Sequence, residues 1–252
     1  MNDVIKRRAG ALETYHYPAL DVLGFVTVVS GRGGGVSAPP FHTLNVSDAV
    51  GDDPAAVAEN RARILKAANL GGLYLGRQVH GDDITVIDAG APDRPQEADA
   101  VITAVSGLCV GVLTADCVPM LIADPVSRVA AAVHAGRRST EMGIAGKTVN
   151  LMQERFGASP GRMTAVIGPC IRSCCYQVDG DTARRFASCC GAPYADHLDM
   201  VSVNLRQLER AGLARGQAHD CGVCVACRND LFFSHRADRN ATGRFVSAIA
   251  LA

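Results

Sequence analysis

Three segments of the chain each place one metal-competent side chain beside a turn: Gln78-Val79-His80-Gly81, Thr114-Ala115-Asp116-Cys117 and Val133-His134-Ala135-Gly136. Each follows an apolar run of strand-like composition. At a strand end a side chain can face a cleft while the backbone turns away. One thiolate and two imidazoles form a three-ligand set. Zinc held by three protein groups keeps a fourth position for water or substrate, which is the catalytic arrangement, whereas structural zinc is usually closed by four. Water in such a position ionises near neutral pH and becomes a nucleophile. The three residues lie far apart in sequence, so spacing alone leaves the alternative of a buried cysteine and two hydrogen-bonded histidines open.

The elements that must position these residues are strands. ADAVITA, CVGVLTADC, PMLIAD and RVAAAVHAG are short apolar segments separated by turn residues such as Ser106-Gly107 and Asp124-Pro125. Continuous apolar runs of this kind suit strands buried on both faces. VLGFVTVVS reads as a strand entering the glycine-rich turn GRGGGVS. LYLGRQVH and DITVIDAG read as two strands around a turn at Gly81-Asp82, and MTAVIGPCI and the closing FVSAIAL as further strands. A helix is predicted after Asp53, where the Asp can cap, Pro54 suits the first helical position, and Val57, Ile64 and Leu65 supply an apolar stripe. GIAGKTVNLMQERFG, DTARRFASCC and VNLRQLERAG read as three more helices. Strands and helices alternate but hairpin-like neighbours also occur, which predicts mixed sheets with helices outside them.

With 252 residues the chain can bury one substantial core, as one large domain or two small ones. Lys+Arg and Asp+Glu both number 25, and this balance gives no general electrostatic reason to expect a nucleic-acid or anionic-membrane partner. The N-terminus lacks the apolar core and cleavage site of a signal peptide. The most apolar stretch, VSGLCVGVLTADCVPMLIAD, is interrupted by Asp116 and Pro119 and falls short of a membrane helix. The ten cysteines, two pairs of them adjacent, are therefore expected as reduced thiols in the cytoplasm.

The segments RGGGVS, FHTLNVSDAVGDD, NRARI, QVHGD, ADAVIT, TADCVPMLIAD, VHAGRRS, GPCI, CVACRNDLFFSHR and TGR resemble, in order, the YfiH-type family first described as laccase-like multicopper polyphenol oxidases. The resemblance covers nearly the whole chain. It implies an α/β (α+β) layered sandwich of mixed β-sheets with helices on the outer faces, related to toxin deamidases that use a Cys-His pair. It implies a single domain over residues 1–252, with 1–20 a peripheral segment. It also implies a metal-dependent purine nucleoside phosphorylase acting on adenosine, inosine and methylthioadenosine with phosphate, and deaminating adenosine. The family's His, Cys and His ligands fall on His80, Cys117 and His134, for zinc, with copper as the alternative.

Other roles follow as expectations. Phosphate calls for Arg, whose paired donors match an anion. Arg138 matches the Arg of the family's His-Ala-Gly-Trp-Arg-Gly motif and is the first candidate, with Arg32 and Arg61 behind it. Asn45, in the Leu-Asn motif, is expected to bond a base or sugar. Asp116 either orients a ligand or bonds to nearby backbone amides. The chain departs from the family at Arg137 and Ser139, in place of Trp and Gly, and at Gln177, in place of Glu. These changes put substrate preference in doubt and leave the ligands intact.

Two signals fail. AGKT at 145–148 lacks the first glycine of a P-loop, because position 141 is Glu141. Cys221, Cys224 and Cys227 form C-x-x-C-x-x-C, which needs a fourth ligand to close a metal site, with His219 or His235 nearest in sequence. Three other functions compete with the phosphorylase: a copper phenol oxidase, a Cys-His hydrolase with Cys117 as nucleophile, and a non-catalytic metal-binding protein. Monomer and dimer both remain open.

Overall fold

The apolar runs in the middle of the chain fold as strands covered on both faces. The computed structural model describes residues 4–88 and 94–252. In chain order its elements are β1 (Ile5–Ala9), β2 (Leu12–His16), α1 (Pro18–Asp21), β3 (Phe25–Ser30), α2 (Pro54–Ala68), β4 (Leu73–Leu75) and β5 (Ile84–Ile87). Then follow β6 (Ala100–Thr103), β7 (Cys109–Thr114), β8 (Val118–Asp124), β9 (Val129–Ala135), α3 (Arg137–Glu141), α4 (Ile144–Phe156), β10 (Thr164–Ile167), α5 (Gly180–Cys190), α6 (Met200–Arg210), β11 (Ala218–Asp220) and β12 (Phe245–Leu251).

The strands form two six-stranded mixed sheets, ordered β1-β2-β3-β12-β7-β4 and β11-β10-β8-β9-β6-β5. Side chains alternate between the faces of a strand, and that alternation builds three apolar layers. Val110 and Val112 of β7 and Phe245 and Ile249 of β12 meet Leu121, Ala130 and Ala132 of the second sheet. The opposite parity of the second sheet (Met120, Ile122, Ala131, Val133) packs under Val149 and Met152 of α4, Phe186 of α5 and Leu208 of α6. The opposite parity of the first sheet (Cys109, Val246, Ala248) packs under Ile64 of α2. Helices therefore cover both outer faces, as the sequence pattern predicts. α2 begins as expected, with the Asp53 carboxylate accepting from the Ala55 amide and Pro54 in the first turn.

Two expectations are corrected. LYLGRQVH and DITVIDAG do not form a hairpin: β4 pairs in parallel with β7 and β5 in parallel with β6, in different sheets. Ala89 and Gly90 of the second segment lie outside the described residues. The segment between the two strands is held by a parallel bridge between Arg77 and Glu97 and by side chains. The Gln78 amide donates to the Leu113 carbonyl at 2.8 Å and accepts from the Leu113 N–H at 2.7 Å. The N-terminal segment is also not wholly peripheral. β1 is exposed, but Leu12, Tyr15, Tyr17 and Leu20 are buried, because β2 pairs with β3 and α1 closes the end of the inter-sheet layer. No helix among the described residues is long and apolar enough to cross a membrane.

Candidate metal centre and substrate cleft

Two chain segments cross from the first sheet to the second at the same end of the sandwich. Residues 76–83 connect β4 to β5 and carry His80; residues 115–117 connect β7 to β8 and carry Cys117. His134, near the end of β9, lies opposite Pro119 of β8 and shares the inward parity of Ala130 and Ala132. Its ring therefore enters the space between the sheets where the crossings meet. One donor atom from each of His80, Cys117 and His134 lies within 4.8 Å of the others. The two imidazoles meet edge to face at 4.8 Å between centroids. Gly136 is needed at this point, since a Cβ there would sit 2.6 Å from His80 Nδ1 and 3.4 Å from the Cys117 sulfur.

Asp99, just before β6, organises the centre from beneath. Its carboxylate is fully buried, lies 2.7 Å from His134 Nδ1, and accepts from the backbone N–H groups of Val79, His80 and Gly81 at 3.1, 3.1 and 2.7 Å. One carboxylate thus orients the His134 ring and bends the loop that carries His80, whose φ of 57° is left-handed. Burial alone would raise the Asp99 pKa; the His134 ring and the Gly81 and Val79 amides outweigh it and hold the carboxyl below its ordinary range. Burial likewise works against a charged Cys117, but His134 and His80 overcome it and pull the thiol pKa down. His134 shifts up, burial again being outweighed, here by Cys117 and Asp99. The donors fit a borderline-soft cation on their chemistry: a thiol biased to thiolate, and an imidazole whose Nδ1 is occupied by a carboxylate and whose other nitrogen is left for a metal.

The centre forms the floor of a cleft of about 550 Å3, with Gln78, Asp116, Tyr176, Arg236 and Arg244 among its walls. That volume suits a small organic ligand. Asp116, at a φ of 96°, accepts from the Ser234 hydroxyl at 2.6 Å and the Arg236 N–H at 2.7 Å, so it both faces the cleft and fastens the wall opposite. Burial raises its pKa against those hydrogen bonds. Arg244 directly precedes β12, and because Phe245 pairs with Thr114 it stands beside the Cys117 crossing. It is half-buried, and burial lowers its pKa against the opposing pull of Cys117 and Asp116.

The other expected ligand contacts lie elsewhere. Arg138 is exposed on α3 and is not among the residues lining the cleft. Arg32 sits over the Phe233 ring and donates to Asn229, with Asp238 3.4 Å away, beside a separate cavity. Arg61 donates to the Val46 carbonyl at 2.8 Å and pairs with Asp48, buttressing the cleft rim from behind. Asn45 is fully buried, and its amide is spent on the protein: it donates to Ser47 and Asp52 and accepts from the Ser47 and Arg244 N–H groups. It positions Arg244 rather than meeting a base or sugar. Cys221 is buried in the inter-sheet core, and His235 lines the cleft. Asp99 and Arg244 escaped the sequence reading. Their signals were a carboxylate opening the apolar run ADAVIT and the arginine of TGR.

The family model described as multi-copper polyphenol oxidoreductase laccase matches residues 26–252. The chain belongs to this YfiH family. A purine nucleoside phosphorylase of Streptomyces coelicolor is 43% identical over 87% of this chain and 93% of its own length. The purine nucleoside phosphorylase YfiH of Escherichia coli is 34% identical over 90% and 94%. Among solved structures, the Bacillus licheniformis hypothetical protein YfiH superposes with a TM-score of 0.91 at 29% identity over 100% of both chains. YlmD of Geobacillus stearothermophilus gives 0.89 at 31% identity over 99% of both. The two mixed sheets with outer helices are thus a YfiH-family architecture.

Proposed function

We propose that the chain is a zinc-dependent purine nucleoside phosphorylase that cleaves adenosine, inosine and methylthioadenosine with phosphate and also deaminates adenosine. The observation that carries this reading is the pairing, in one cleft, of the His80, Cys117 and His134 donors with the half-buried cation Arg244. Relatives named purine nucleoside phosphorylase over most of the chain support it.

In the phosphorolytic step a phosphate oxygen forms a bond to the ribose anomeric carbon, the bond to the purine nitrogen breaks, and the base leaves with a proton. Arg244 and Arg236 face the cleft and hold the anion, while Asp116 keeps the Arg236 segment in place. Tyr176 supplies an aromatic wall for a purine. Zinc, when bound by the three donors, supplies a Lewis acid at the cleft floor. Asp99 keeps the His134 tautomer and the His80 loop in the geometry that ligation requires. A trinuclear copper centre is a poor match, because the chain has 7 His and the centre contains two of them.

The test is to incubate metal-analysed protein with adenosine, with and without phosphate, beside His80→Ala. Phosphate-dependent adenine and ribose 1-phosphate, lost in the variant together with zinc, are expected. Inosine alone would reduce the reading to a deaminase. No product from zinc-loaded protein would overturn both activities and direct attention to Cys117 as a hydrolytic nucleophile.

A further inference from the structure

Four other cysteines converge away from the cleft floor. Cys174 and Cys175 lie on the segment after β10, and Cys224 and Cys227 on the segment after β11. Their four sulfurs all lie within 4.8 Å of one another, although Cys174 and Cys227 are 53 residues apart in sequence. The sulfur of Cys227 is 3.7 Å from that of Cys174 and 3.4 Å from that of Cys175. Four thiolates at a tetrahedral zinc, with bonds of about 2.3 Å, stand roughly 3.8 Å apart. The cluster therefore has the size of a single-ion cage. An iron–sulfur cluster places several irons and sulfides between its cysteines and needs a wider frame.

The backbone prepares the same arrangement. Cys170 and Cys224 form a parallel bridge, and the Val225 N–H donates to the Cys170 carbonyl at 3.0 Å. The Cys175 N–H donates to the Arg172 carbonyl and the Arg228 N–H to the Cys224 carbonyl, both at 2.9 Å, so each cysteine pair sits on a closed turn. All four are free thiols, and a bridge between the adjacent Cys174 and Cys175 is disfavoured, because neighbouring Cα atoms stand about 3.8 Å apart, below the usual disulfide separation of roughly 4.4–6.8 Å.

We propose that Cys174, Cys175, Cys224 and Cys227 bind a second zinc ion as a closed, structural tetrathiolate site. This site staples together two walls of the cleft. Tyr176 directly follows Cys175, and the Cys227 segment runs on to Ser234, His235 and Arg236. Arg236 already bridges the two, donating to the Gln177 carbonyl at 3.0 Å and lying 5.6 Å over the Tyr176 ring. Its guanidinium, 3.4 Å from the Cys175 carbonyl, also brings a positive charge next to an anionic zinc–thiolate group. The site is closed by four protein ligands and has no open position, so its part is architectural.

The experiment uses zinc-loaded protein purified under reducing conditions and carrying His80→Ala and Cys117→Ala, which leaves the four cysteines untouched. Metal analysis and zinc X-ray absorption are expected to find about one zinc per chain, in an all-sulfur shell at about 2.3 Å. Otherwise wild-type protein carrying Cys174→Ser and Cys227→Ser is expected to lose one zinc equivalent relative to its parent and to melt several degrees lower. A zinc-free His80/Cys117 variant, a nitrogen-containing shell, or a disulfide among the four cysteines in reduced protein would overturn the proposal. None of these readouts depends on nucleoside turnover, so the site and the catalytic reading can fail separately.

Discussion

Among single residues, Asp99 and Arg244 have the sharpest roles. Asp99 holds both His134 and the His80 loop, so Asp99→Asn is expected to weaken zinc binding at the cleft floor about 10- to 100-fold. Chelator competition at constant fold, monitored by circular dichroism, would check this; unchanged affinity would remove its positioning role. Arg244→Ala is expected to raise the KM for phosphate about tenfold or more, while Arg138→Ala, on the exposed face of α3, leaves it nearly unchanged. The reverse ranking would return the anion site to Arg138. The grouping of His80, Cys117 and His134 was legible chiefly through the family resemblance, since residues so far apart in sequence do not announce a shared centre by spacing. The cleft-lining Arg244 was not, because it comes beside the Cys117 crossing only through the pairing of β12 with β7, a contact no local pattern announces. Asn45 misled for the opposite reason. Its motif is real, but the buried amide serves the Ser47–Asp52 turn and the Arg244 backbone.

At the level of elements, the apolar runs marked nearly every central strand, but not the sheet each strand joins. When both faces are buried, as in β8 and β9, alternation of apolar with polar residues disappears, and parity cannot be read before the layers are known. The two strands read around the turn at Gly81-Asp82 are real but do not pair with each other: Asp99 accepts the Gly81 N–H, the Gln78 side chain ties the segment to Leu113, and the Arg77 backbone pairs with residues 96–98. Ala130 and Ala132 of β9 face the inter-sheet layer, where larger side chains from β7 and β12 fill the space. Ala132→Leu is expected to destabilise by roughly 1–3 kcal/mol through overpacking, read from a urea midpoint shift. A neutral result would mean that the layer has slack. Helix α2 was the most legible element, since its Asp53 cap, Pro54 and apolar stripe all agree.

For the molecule as a whole, acid stability has a definite anchor in Asp124, which is fully buried at the end of β8. Burial opposes its ionisation, but the Ser159, Val126 and Ser127 amides and Arg162 prevail and lower its pKa from the ordinary 3.8. A carboxyl with a depressed folded pKa stabilises the fold above its unfolded value, and that stability is lost as pH falls through the folded value. Asp124→Asn is therefore expected to be less stable than the parent by roughly 1–3 kcal/mol near neutral pH, with the gap closing below about pH 4. Equal stabilities at neutral pH would show that the amide serves the turn as well as the carboxylate.

Two donors of the cleft floor, His80 and Cys117, sit on the segments that cross between the sheets, and the third, His134, on β9 of the second sheet. A cation bound there joins the sheets at one end as a rivet does, so its occupancy should be readable in motions far from any substrate. In amide hydrogen exchange, metal removal is expected to speed labelling of residues 76–83 and 115–117 together, as one opening event, while the β8 and β9 amides beneath the helices keep their protection. Independent loosening of the two segments would mean that each sheet holds its own half of the centre without the other.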